Sequence, residues 1–195
     1  MELKFQYNKI SIQSLQKQLN IRQAALPTLK SKETYLRINI KKEKSKLDKQ
    51  RYELAEFRKG IGESEQLFSE YPRGSLRVAN VEYGNESIAG ITIPILKKIS
   101  FAEAASSLIQ NPAWLPWGWK IARRLIRITT EIDAAKLRIG RLELARRKTT
   151  QKVNLYEKVQ IPQFSNAILK IKRYLEDVEN LGKAAQKITK ARQAL

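Results

Sequence analysis

The side chains that could do chemistry here are almost all charged ones. The 195 residues hold 38 Lys and Arg, 19 Asp and Glu, and neither His nor Cys. Without imidazole or thiol there is no Ser-His or Cys-His triad, no His-ligated metal, no thiolate nucleophile and no disulfide. What remains is acid–base work by paired carboxylates, phosphate binding by glycine-rich loops, or attraction of polyanions. The carboxylate pairs Glu131/Asp133 and Glu176/Asp177 fall on expected helix surfaces, whereas general acid–base catalysis needs them in a cleft. Gly182-Lys183 lacks the upstream glycine and following Ser/Thr of a phosphate loop, and Gly60-x-Gly62 is too short for a dinucleotide fingerprint. The sequence therefore predicts a chain that is not itself an enzyme and needs no cofactor or metal. Its net charge of +19 points to a polyanionic partner: nucleic acid, a membrane surface or an acidic protein.

The charge is not spread evenly. Residues 1–60 carry +9, residues 61–118 carry −2 and residues 119–195 carry +12. Glycine and proline follow the same division, with most of both between Gly60 and Gly118. Both disfavour helix interiors, so the flanks can be long helices and the middle cannot. Three divisions follow: residues 1–70 as a first long helix, 71–118 as an insert, and 119–195 as a second long helix.

Each flank has a seam. Alternate steps of four and three from Leu15 reach Leu19, Arg22, Leu26, Leu29, Glu33, Leu36, Ile40, Glu43, Leu47, Gln50, Leu54, Phe57, Ile61, Ser64 and Phe68. The same steps from Ile121 reach Leu125, Ile128, Ile132, Ala135, Ile139, Leu142, Arg146, Thr149, Val153 and Tyr156, and the stripe resumes at Phe164, Ile168, Ile171, Leu175 and Val178. A repeat of 3.5 residues makes a narrow apolar stripe that needs a partner helix. The expected fold is mainly α: a long antiparallel two-helix coiled coil, in effect a rod, with a small central β-hairpin and short-helix insert. Pro27 and Pro162 should each kink a helix. If they lie at one height, paired residue numbers add to about 189 and residues 182–195 extend beyond the first helix.

In the middle, 76–83 and 87–96 are rich in β-branched residues and flank Gly84-Asn85, which reads as a hairpin turning there. Pro94 marks the second strand as an edge or its end. Residues 101–110 read as a short helix. Trp114, Trp117 and Trp119 follow, read as a base cap or docking loop in preference to a membrane anchor. No run of about 18 apolar residues and no signal-like start is present, so no membrane span is expected.

Three stretches carry a family resemblance: residues 16–36, the Leu-rich basic start of the first helix; Glu86-Ser-Ile-Ala-Gly-Ile-Thr-Ile-Pro94 with Asn85 before it; and residues 146–179, with Val153-Asn154-Leu155-x-Glu157 and Ile161-Pro162. They resemble the D-subunit family of the V-type (V/A-type) ATPases, the central-stalk rotor subunits. Lys152 stands where the family has Arg, and residues 180–195 lack the family's acidic-aromatic run. The resemblance implies a shaft inside a hexamer of catalytic and nucleotide-binding subunits. It also implies a small central-stalk partner subunit on its flank and a funnel-shaped subunit on the membrane ring at its base. Such a subunit is cytoplasmic and peripheral to the membrane. The implied hexamer-bore contacts are Lys9, Lys17, Arg22, Lys183, Lys187, Lys190 and Arg192. The implied partner contacts are Leu54, Phe57, Ile61, Ile132 and Ile139, and Trp114, Trp117 and Trp119 form the base or docking loop.

Two other classes compete on the residues alone. A prefoldin-like chaperone would expose apolar groups at its coil tips, where this chain's last segment is mostly Lys, Arg, Gln and Ala. A basic coiled-coil nucleic-acid binder would interleave aromatics with its cations, but the flank aromatics stand singly and no nucleic acid is expected.

Overall fold

In the computed structural model, residues 4–62, 70–72, 74–103 and 112–193 are described, and 76% of these are helical. Helix α1 spans Lys9–Gly62, strands β1 and β2 span Leu76–Ile88 and Ile91–Glu103, helix α2 spans Leu115–Asn154, and helix α3 spans Ile161–Gln193. A single stretch of π-helix, Leu155–Gln160, joins α2 to α3. The chain forms two compact units, Met1–Glu33 with Lys148–Leu195, and Thr34–Arg147. In the first, the start of α1 pairs antiparallel with α3; in the second, the rest of α1 pairs with α2 and supports the hairpin.

Every described seam position from Leu15 to Ile61, from Ile121 to Tyr156 and from Phe164 to Leu175 is buried or half-buried. Leu15 and Leu19 pack with Phe164, Ala167, Ile168 and Ile171 in the first unit. Leu47 packs with Ile128, Ile132, Ala135 and Ile139 in the second. Each fully buried Leu or Ile contributes roughly 1.5–3 kcal/mol of transfer free energy, which offsets the cost of ordering the helices.

The pairing is one heptad away from the register expected from the two prolines. Arg22 meets Gln160, Glu33 meets Thr150, Glu43 meets Arg138 and Gln50 meets Glu131, so paired numbers add to about 182, not 189. The apolar seam fits both registers because it repeats every seven residues. In the register found, Arg22, Glu33, Glu43 and Gln50 each meet a polar partner across the pair, while the Nε of Arg146, also on the seam, is buried without a hydrogen-bond partner. Cysteines replacing Leu47 and Ala135 should therefore cross-link under mild oxidation. Cysteines replacing Leu47 and Leu142 should not, because bridged Cα atoms lie within about 7 Å; non-reducing gel electrophoresis distinguishes the two.

Pro27 lies within α1, which continues through it. Ahead of Pro162 the chain makes π turns, with the Ile161 N–H donating to the Tyr156 carbonyl. Pro162 has no N–H to give, so the preceding backbone winds wider and takes in an extra residue. The sequence holds a trace of this: the stripe resumes at Phe164, one residue later than steps from Tyr156 would place it.

The hairpin turns at Ala89-Gly90, five residues beyond the expected Gly84-Asn85. Both residues have positive φ, 53° and 77°, as a two-residue hairpin turn with matching twist requires. Ala89 accepts the left-handed conformation at roughly 1 kcal/mol. Gly84 and Asn85 lie inside β1, opposite Ile95 and Pro94. At Gly84 the side chain of Lys97, bulged from β2, crosses where a Cβ would be, 2.4 Å from it. Strand β2 runs past Pro94 to Glu103, so Phe101–Glu103, expected as helix, are strand. The remainder of that expected helix, 104–110, lies outside the described residues, as does seam residue Phe68.

Candidate functional site

The hairpin is held to the helix pair by an apolar plug and a charged clamp. Ile93, 1% exposed, sits with Leu36, Ile40 and Leu142. Beside it, Arg138 donates through Nε to Glu43 (3.0 Å) and through Nη1 to the Pro94 carbonyl (3.4 Å), while Arg141 donates to the Thr92 carbonyl (3.1 Å). Carbonyls two residues apart share an edge of the strand, so two arginines of α2 cap the edge of β2. Side chains of Arg138 and Glu43 are only 14% and 8% exposed. Burial alone would raise the Glu43 pKa. Hydrogen bonds and charge from Lys46 and Arg138 outweigh it and hold the carboxyl below its ordinary value. The sequence flagged Glu43 only as an acidic seam position; Arg138, off the seam, was missed.

The start of α2, expected as the base, is aromatic. Trp119 Nε1 donates to Ser75 Oγ at 3.2 Å, and Trp114 lies tilted against Tyr71, ring centroids 6.3 Å apart. Gly118 leaves room for this pair: a Cβ there would stand 3.0 Å from the Trp114 ring and 3.3 Å from Tyr71. Trp117 is 47% exposed. The expected base loop is thus the first turn of α2 and what it packs on.

The expected bore cations differ in availability. Arg22 is engaged: Nε donates to Gln160 at 2.6 Å, Nη1 to the Gln18 carbonyl, and the guanidinium stacks 4.6 Å over Phe164. Lys9 and Lys17 are exposed on α1. Lys183 pairs with Glu179 at 2.7 Å, and Lys187, Lys190 and Arg192 are exposed. Tyr7 meets Tyr174 at 4.8 Å and Leu175 packs on the first unit's core. From Glu176 to Gln193 every residue is exposed, including Val178, Leu181 and Ile188. The unpaired end of α3 therefore starts about six residues earlier than the expected 182.

Of the expected partner contacts, Ile132 and Ile139 lie in the seam, 6% and 8% exposed, with Leu54 packed against that cluster. Phe57 is half-buried with Arg124 stacked 4.6 Å over its ring, and Ile61 is half-buried near the end of α1. Cross-helix ion pairs Lys30–Glu157, Lys44–Glu143 and Arg124–Glu53 line the edges at 2.6, 2.7 and 3.4 Å. All are substantially exposed and worth about 0–1 kcal/mol each.

The second unit, an antiparallel helix pair with polar groups in its seam and a β-hairpin clamped to its flank, defines a mainly helical protein with a small antiparallel hairpin. The chain belongs to the ATP synthase D-subunit family, whose model matches residues 11–191. It is 31% identical over 190 residues to the V-type ATP synthase D subunit of Borreliella burgdorferi, covering 96% of this chain and 94% of that one. It is 32% identical over 161 residues to the protein of the same name in Chlamydia felis, covering 78% and 76%, and 27% identical over 182 residues to that of Chlamydia pneumoniae, covering 91% and 87%. Among the described residues no helix is long and apolar enough to cross a membrane.

Proposed function

We propose that the chain is the central rotor shaft of a V/A-type rotary ATPase. It would couple ATP hydrolysis or synthesis in the catalytic hexamer to ion translocation by the membrane rotor. The observation that carries this, given the family, is the end of α3. The seam closes up to Leu175, and beyond it α3 continues with every described side chain exposed, acidic at Glu176, Asp177 and Glu179 and purely cationic from Lys183 on. Such a helix suits a bore lined by other subunits, and Lys187, Lys190, Arg192 and Lys183 are its contacts there, with Lys9 and Lys17 below them on α1. Arg22 contributes by bracing the π turn.

The small partner subunit packs beside the second unit, against Phe57, Ile61 and the exposed side of Leu54, with Ile132 and Ile139 supporting that face from beneath. The Trp114, Trp117 and Trp119 base docks on the funnel-shaped subunit. The chain is non-catalytic and peripheral to the membrane, on the cytoplasmic side. A shaft must turn past several subunit pairs without locking to one, and exposed charges worth about 0–1 kcal/mol each permit that exchange.

Affinity purification of the tagged chain from its own cells tests this. Large nucleotide-binding subunits should co-purify with ATPase activity, and the chain alone should show no turnover. Recovery without them, or turnover that survives removal of contaminating ATPases, overturns the reading.

A further inference from the structure

A cleft of about 790 Å³ opens in the second unit between β2, α1 and the start of α2. Its floor is apolar: Ile99, Phe101 and Ile128. Its wall is a row of cations on one face of α2, Lys120 and Arg127 with the neighbours Arg123 and Arg124 between them, at steps of three, one and three residues. Two of these are already matched, Arg124 by Glu53 and Arg123 by Glu103. The other lining acid, Glu131, accepts from Gln50. Lys120 and Arg127 have no ion pair among the described residues, and between them the Arg123 Nε is buried with no hydrogen-bond partner.

The shape of the charge selects the ligand. Lys120 and Arg127 are seven residues apart, about 10 Å along the helix. A small anion reaches one of them, not the row. Nucleic acid offers a row of phosphates, but its apolar surfaces are flat base faces, which stack on a ring such as Phe101 and leave the aliphatic Ile99 and Ile128 uncovered. A helix whose carboxylates recur every three or four residues matches the row, and an apolar stripe beside them covers the floor. We infer that this cleft is a docking groove for an acidic amphipathic helix of a partner protein, with Lys120 and Arg127 meeting its carboxylates. The inference rests on the shaft reading only in taking that partner to be the small stalk subunit.

A benzophenone amino acid in place of Lys120, in the full chain expressed in its own cells, tests the groove directly. Mass spectrometry of the cross-linked product should find a partner segment with acids at helical spacing. The double substitution Lys120→Glu with Arg127→Glu should weaken that partner's binding at least tenfold. The same charge change at exposed Lys41 and Lys49 of α1 should leave it unaltered. No cross-link, a cross-link to a basic or uncharged segment or to nucleic acid, or unchanged affinity of the double variant each overturns the inference. If an acidic helix is captured but no ATPase subunits co-purify, the groove stands and the shaft reading falls. If ATPase subunits co-purify and the groove captures nothing acidic, the reverse holds.

Discussion

Arg138→Ala should destabilise the chain by about 3–5 kcal/mol, the cost of leaving a buried carboxylate without its partner. Glu43 would keep only Lys46, whose side chain is 55% exposed, and the Pro94 carbonyl would lose its donor. For a chain of this length that corresponds to a fall in melting temperature of roughly 6–20 °C, read by thermal denaturation. The hairpin should also become sensitive to proteolysis at temperatures where the parent resists, because the clamp on β2 is gone. Replacing both partners, Arg138→Met with Glu43→Leu, should recover most of the loss, since burying neither charge avoids the desolvation cost. The pH dependence has a defined sign. The folded-state pKa of Glu43 is depressed below 4.5, so the unfolded chain binds the proton more readily. Its stabilisation is present above that value and is lost as pH falls through the folded pKa. The parent should therefore lose stability in acid, and the Met/Leu variant should lose less over the same window.

Removing residues 176–195 should do the opposite: little to the fold, much to the assembly. Every described residue removed is exposed, and surface changes of this kind usually lie within about 0.5 kcal/mol. The thermal midpoint should stay within a few degrees of the parent. Binding to the catalytic hexamer should fall at least about a hundredfold, because Val178, Leu181 and Ile188 each gain roughly 1.5–3 kcal/mol when covered. The binding that remains should also be less salt-sensitive, as Lys183, Lys187, Lys190 and Arg192 are lost. A truncation that unfolds the isolated chain would show that the tip is part of the paired core. Unchanged hexamer binding would remove the observation on which the shaft proposal stands.

The helices, their seam faces and the β character of the middle were legible in the sequence, because burial along one helix face imposes a short period that residues must obey. Glu43 and Gln50 on that stripe were legible as well, though not their partners. The hairpin's turn was misplaced because Gly84-Asn85 has better turn chemistry than Ala89-Gly90. The choice fell to Ala89-Gly90 because turning there puts Ile93 into the plug with Leu36, Ile40 and Leu142. The register was misplaced because an apolar repeat of seven is indifferent to a slip of seven. The meeting of particular polar groups across the pair, Glu43 with Arg138 and Gln50 with Glu131, marks the register found, and those residues are 95 and 81 positions apart in the chain. The sequence by itself determined which faces are apolar, since that follows from local periodicity. The tertiary structure alone decided which cations are spent inside the protein, such as Arg22, Arg138 and Arg141, and which remain outside to meet a partner. That division depends on the acceptor brought to each guanidinium by the rest of the chain, which no local spacing encodes.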